Sequence, residues 1–123
     1  MERRLAAVLI ADVVGYSRLS RLDEEGTHLR FQSDLSNILE PLFREFHGRL
    51  VKTMGDGLLV EFRSVVDATQ CAVEIQKRKA AAENEKGANG ERLDFRIGIN
   101  LGDIIVEGDD IHGDGVNIAD RVQ

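Results

Sequence analysis

The sequence predicts an α+β domain, a sandwich in which helices pack on an antiparallel sheet. Short apolar runs of strand type alternate with stretches of helical periodicity. Strand-like runs also come in adjacent pairs joined by tight glycine-aspartate turns, which makes neighbours antiparallel. A doubly wound parallel sheet would instead need successive strand-helix-strand crossovers. With 123 residues, 42% of them hydrophobic, the chain fits one domain, residues 1–123, around one modest core.

Leu5 to Val14 is rich in Val, Leu and Ile, as in a strand covered on both faces, and Gly15 ends it. After a polar link, Leu35, Ile38, Leu39, Leu42, Phe43 and Phe46 draw one apolar stripe down a helix. Pro41 lies inside that stripe and predicts a kink or a break into two helices, and Gly48 suits a left-handed cap. Arg49–Thr53 and Leu58–Phe62 flank Met54-Gly55-Asp56-Gly57 as a hairpin with Asp56 at its tip.

Ser64 with Asp67 three residues on resembles a capping box, and Val65, Ala68, Ala72, Ile75 and Lys79 continue a second helix that frays through Lys77–Lys86. Gly87-Ala88-Asn89-Gly90 is a surface turn, after which Leu93, Phe95, Ile97, Ile99 and Leu101 alternate as a half-buried strand does. Gly102-Asp103 is expected to turn that strand into Ile104–Glu107. An acidic loop, Gly108-Asp109-Asp110, leads through Gly113-Asp114-Gly115 to a third helix over Val116–Gln123.

Sixteen basic against twenty-two acidic residues, a net charge of -6, argue against nucleic acid or anionic lipid as partners. The single cysteine, Cys71, excludes an internal disulfide and a Cys-ligated zinc site, as expected in a reducing cytoplasm. Arg3-Arg4 before an apolar run imitates a secretory leader, but Asp12 interrupts it and no cleavage site follows. No stretch approaches the roughly twenty apolar residues of a membrane helix, so no membrane contact is expected from this segment.

Chemistry concentrates at two aspartates. Asp12 closes the first apolar run three residues before Gly15, and Asp56 sits between glycines in the hairpin turn, so both carboxylates lie at a sheet rim where hydrated divalent ions and phosphate can approach. Asp56-Gly57 alone is also an ordinary turn signal. A carboxylate at the end of a buried strand, as at Asp12, requires a cation or several N–H donors. Asn117 and Arg121, four positions apart, face the same way on the third helix, either as a plain polar face or, after the acidic loop and glycines, as a reader of a phosphorylated ligand. Lys52 reads by itself as an edge-strand lysine. His28, His47 and His112 share no metal-ligand spacing, and Ser17 has no nearby histidine to activate it.

Together, Ala11-Asp12-Val13-Val14-Gly15-Tyr16-Ser17, Val51 to Gly57, Phe95-Arg96-Ile97-Gly98-Ile99-Asn100-Leu101-Gly102 and Gly113 to Arg121 resemble the class III adenylate and guanylate cyclase catalytic domain, in wording closest to bacterial members. The resemblance implies a ferredoxin-like α+β fold and conversion of ATP to cyclic AMP and pyrophosphate with two Mg²⁺ or Mn²⁺ ions. Asp12 and Asp56 match the metal-binding carboxylates, and the backbone of Val13, Gly15, Tyr16 and Ser17 matches the segment that meets the second ion and the triphosphate. Lys52 and Asp110 match the purine-reading pair, in the combination that selects adenine. Asn117 matches the residue that orients the ribose and Arg121 the one that stabilises the transition state.

A head-to-tail homodimer with composite sites is implied as well, metals from one chain and Lys52, Asp110, Asn117 and Arg121 from the other. The family domain continues past the third helix with further strands and a lysine that holds the triphosphate, so the chain is expected to be the N-terminal portion of a catalytic domain. The alternative is a catalytically silent homology domain that acts through dimerisation or nucleotide binding.

Overall fold

The structure, a computed structural model, describes residues 2–86, 93–113 and 116. Five strands form one antiparallel sheet in the order β2-β3-β1-β4-β5, with β1 at Glu2–Val13, β2 at Arg49–Met54, β3 at Gly57–Phe62, β4 at Phe95–Glu107 and β5 at Asp110–His112. Helices α1 (Tyr16–Leu22), α2 (Glu24–Asp34) and α3 (Glu40–Glu45) fall between β1 and β2, and α4 (Val65–Lys86) between β3 and β4. Each helical connection skips one strand, which is the split β-α-β arrangement of the ferredoxin-like fold and bears out the expected class.

The central strand is apolar on both faces, as its composition required. Ala7, Leu9, Ala11 and Val13 pack under the helices with Leu35, Leu39, Leu42, Phe43, Ala68, Cys71 and Ile75. Ala6, Val8 and Ile10 face the other way and join Leu59, Ile104 and Ile111 in a second cluster. The sheet itself closes over that second cluster by curling until its two edges meet. Arg49 on β2 donates to the Asp109 carbonyl before β5 at 3.1 Å, and Lys52 on β2 lies 2.9 Å from Asp110 on β5. Glycine 48 allows a related close fit, since a Cβ there would lie 2.6 Å from the Phe62 ring.

Several local expectations are corrected. The polar link after Gly15 is helical. Asp23 caps α2 by accepting from the Gly26 N–H at 2.9 Å, and buried Thr27 donates to the Leu19 carbonyl at 3.0 Å, so polar residues pin α1 to α2. Pro41 does not interrupt the helical path, which runs on from Leu35 to Glu45. A π-helical turn at Leu35–Leu39 precedes it, and the wider turn accommodates a residue that has no N–H and whose ring crowds a regular α-turn. His47, not Gly48, takes the left-handed conformation, with φ of 64°.

The Gly102-Asp103 turn does not form. β4 runs straight through it because β1 offers twelve residues of partner, Gly102 lying opposite Ala6 and Asp103 opposite Leu5. The hairpin instead turns at Gly108, with φ of 58°, and Asp109, leaving Asp110 as the first residue of β5. The second helix, expected to fray after Lys77, continues to Lys86. Ser64 caps it by accepting from the Asp67 N–H at 3.1 Å. One reason it is held is a buried ion pair at 2.6 Å between Lys79 and Asp34 of α2, with the Lys79 ammonium also above the Phe95 ring. The Gly87–Gly90 turn and most of the third helix lie outside the described residues. Among those described, no helix is long and apolar enough to cross a membrane.

Candidate active site

Strand register brings the two aspartates to one rim. Asp12 sits opposite Gly57 of β3, and Asp56 immediately precedes that glycine in the two-residue β2–β3 turn. Gly55 opens the turn with φ of 63°, a conformation that costs glycine little. A Cβ at residue 57 would lie 3.2 Å from the Met54 carbonyl and 3.9 Å from the Asp12 Cβ, so glycine there keeps the carboxylate strand close.

On its other side Asp12 faces Arg96 of β4, whose Nε lies 3.3 Å from Oδ1. That arginine was passed over in the sequence, although strict alternation with buried Phe95 already set it on the opposite face, the one Asp12 occupies. Asp12 Oδ2 accepts no hydrogen bond among the described residues, where no cluster of three His, Cys, Asp or Glu side chains occurs either. Two rim carboxylates with an unused oxygen suit hydrated Mg²⁺ or Mn²⁺, which take few protein ligands and complete their shell with water and phosphate oxygens.

After β1 the chain turns through Gly15, at φ of 68°, into α1. The Val14 N–H is tied to the Asp94 carbonyl at 2.8 Å, and the Gly15 carbonyl accepts from the Leu19 N–H at 3.0 Å. Val13 is buried. The Tyr16 ring packs edge-on against Phe31, with centroids 6.5 Å apart, so what Tyr16 and Ser17 present at the rim is first-turn backbone N–H, which has no acceptor within its own helix.

The other group lies along the closed seam of the sheet. Lys52 reaches Asp110 Oδ1 at 2.9 Å and Oδ2 at 3.1 Å, and the Ile111 N–H donates to Oδ1 at 2.8 Å. A bulge between Leu50 and Lys52 sets Lys52 opposite Leu59, on the curled-in face. The hydrogen bond from Lys52, then that from Ile111, and the neighbouring charges of Lys52 and His112 hold the Asp110 carboxyl below its ordinary range. Both side chains stay about two-fifths exposed, so a ligand can reach them. Sequence spacing could not reveal this contact, because it depends on curvature accumulated across five strands.

Asn117 and Arg121 lie outside the described residues. Val116, just before them, packs on the second apolar cluster. Cys71 is buried in α4, where burial pushes its thiol up to about 12, so it is an inert core residue.

The family model of the adenylate and guanylate cyclase catalytic domain matches residues 2–123. The chain belongs to this family. It is 48% identical over 123 residues to "Putative adenylate cyclase 3" of Rhizobium meliloti (strain 1021), covering all of this chain and 21% of that protein. This cyclase chain thus spans about a fifth of the length of that relative. An adenylate/guanylate cyclase/hydrolase from Silicibacter pomeroyi is similar in structure, with a TM-score of 0.89 and 43% identity, over 98% of this chain and 70% of that one. The guanylyl cyclase Cya2, at 24% identity, shares the fold with a TM-score of 0.82 over 98% of this chain and 69% of that one. A guanylyl cyclase on the same fold means that the choice of purine must be argued from side chains.

Proposed function

We propose that this cyclase domain acts on ATP, forming 3′,5′-cyclic AMP and pyrophosphate, with Lys52 and Asp110 as the base-reading pair. The observation that carries the reading is the contact between those two side chains at 2.9 Å, a cationic donor beside an anionic acceptor on an exposed seam. Lys52 donates to a ring nitrogen of adenine, and Asp110, kept ionised, accepts from the exocyclic amine. Guanine offers a carbonyl and an N–H at those places, so the same pair meets it donor to donor and acceptor to acceptor.

Asp12 and Asp56, with the Val13 carbonyl, would hold two Mg²⁺ or Mn²⁺ ions. Bound there, such ions supply acidification of the ribose 3′-hydroxyl and neutralise triphosphate charge. The N–H groups of Gly15, Tyr16 and Ser17 approach phosphate oxygens. Asn117 orients the ribose, and Arg121 donates a planar fork of hydrogen bonds to the pentavalent phosphorus as pyrophosphate leaves. The carboxylates serve one site and the Lys52, Asp110, Asn117 and Arg121 group serves the other across a head-to-tail homodimer.

Purified protein supplied with ATP and Mn²⁺ is expected to produce cyclic AMP, and its absence would refute the enzymatic reading in favour of a silent homology domain. Mixing an Asp56→Ala chain with an Arg121→Ala chain is expected to restore part of the activity through one intact composite site. No recovery from a mixture shown to contain heterodimers would rule out shared sites.

A further inference from the structure

Beyond the Lys52–Asp110 contact that the proposed reaction uses, the seam contains a second closure. Arg49 at the start of β2 spans both sheet edges, its NH1 donating to the Asp109 carbonyl at 3.1 Å and its NH2 to Glu61 Oε1 at 3.1 Å. Glu61 is itself well shielded and is gripped by Arg4 of β1, through Nε and NH2 at 2.9 Å each. A guanidinium on one edge strand is therefore anchored by a carboxylate tied to the central strand, and it holds a carbonyl of the turn leading into the opposite edge. The residue that follows that carbonyl is Asp110.

We propose that Arg49, steadied by Glu61 and Arg4, is a positioning residue for base recognition: by gripping the Asp109 carbonyl it fixes the β4–β5 turn so that Asp110 meets Lys52. The inference rests on the reading of Lys52 and Asp110 as the base-reading pair. Its physical basis is geometric. β5 is three residues long and among the described residues pairs with β4 alone, so β4 cannot by itself fix how far the turn swings toward β2. Among the described residues two side-chain contacts cross the seam, from Arg49 and from Lys52, and the one from Arg49 involves no atom that must also reach the purine. A hydrogen bond from a charged donor to a carbonyl is among the stronger kinds available to hold such a turn.

The test uses Arg49→Met, which keeps the aliphatic stem, and Arg49→Lys, which keeps a charge but not a fork that can hold two partners. For Arg49→Met, KM for ATP is expected to rise about 10-fold with kcat within about twofold, and the preference for ATP over GTP to fall in parallel. Arg49→Lys is expected to fall between it and the wild type. Should the methionine variant not fold, the lysine variant carries the test. Wild-type KM and wild-type base preference in a folded variant would overturn the proposal, as would a loss confined to kcat.

A nuclear magnetic resonance titration of the Asp110 carboxyl reads the same positioning without turnover. In Arg49→Met its midpoint is expected to move up toward the ordinary aspartate value, and an unmoved midpoint would overturn the proposal. If the wild-type chain makes no cyclic AMP, the cyclase reading fails by that result, while the titration still decides whether Arg49 positions Asp110.

Discussion

At the rim where β1 ends, Asp12 is met among the described residues by Arg96, through one oxygen at 3.3 Å. At the seam between β2 and β5, Asp110 receives Lys52 at 2.9 Å and a backbone N–H at 2.8 Å. Both regions place a carboxylate at the edge of the same sheet. They differ in what completes them. The seam is assembled from the chain's own donors, so its geometry exists before a ligand arrives. The rim retains, among the described residues, an unused carboxylate oxygen at Asp12. Under the proposed function, base selection would be a property of the folded chain, and phosphate chemistry a property of the loaded complex.

The largest expected effect would break this division outright. Asp12→Ala and Asp56→Ala should each lower turnover by about 10²-fold or more, because several kcal/mol of transition-state charge stabilisation depend on the rim. Binding of fluorescent ATP and GTP analogues to the same variants should still favour the adenine form, and a lost preference would mean that rim and seam are not separable. Next in size, Lys52→Glu should cut the preference for ATP over GTP by about 10-fold or more, measured as the ratio of kcat/KM values. An unchanged ratio would remove Lys52 from base reading.

The pH dependence sharpens the comparison further. The Asp110 carboxyl lies below its ordinary value of 3.8, chiefly through the hydrogen bond from Lys52. A depressed folded-state value adds stability that is present above the unfolded value and is lost as pH falls through the folded one. In a carboxyl titration by nuclear magnetic resonance, the Asp110 midpoint should therefore lie under 3.8 in the wild type and rise toward it in Lys52→Met. The smallest effect belongs to the rim. Removing the half-exposed Arg96 charge should tighten nucleotide-free Mn²⁺ binding by about 2–5-fold, as suits an ion pair that water already screens. Calorimetry on Arg96→Ala would show it, and weaker binding would contradict the placement of the ion at Asp12.

What could be read from the sequence was whatever periodicity and turn chemistry encode locally. The apolar run of β1, the Gly55-Asp56 hairpin and the Ser64 cap were all legible, whereas the placing of Asp12 beside that hairpin was expected from the family resemblance, since the tight turn fixes the register of β2 and β3 but not of β1. The α1–α2 pair was hidden because polar Thr27 and Asp23 do structural work there that composition assigns to loops. Lys79 was legible as part of a helical stripe but not as a buried charge, since its partner Asp34 lies 45 residues away. Gly102-Asp103 misled for the reverse reason: a sound local turn signal gives way when a long neighbouring strand supplies continuous pairing. Arg49 and Glu61 gave no signal at all, as both are ordinary charges on strands until the sheet curls.

That curl makes the molecule a split hoop whose gap is bridged by side chains from the first and last staves. In a hoop, the width of the gap depends on the bend of every stave between its ends, so remote packing changes reach it. A methyl group added or removed among Val8, Ile10 and Leu59, none of which is among the residues proposed to meet the nucleotide, should open or narrow the gap and so retune which purine is preferred.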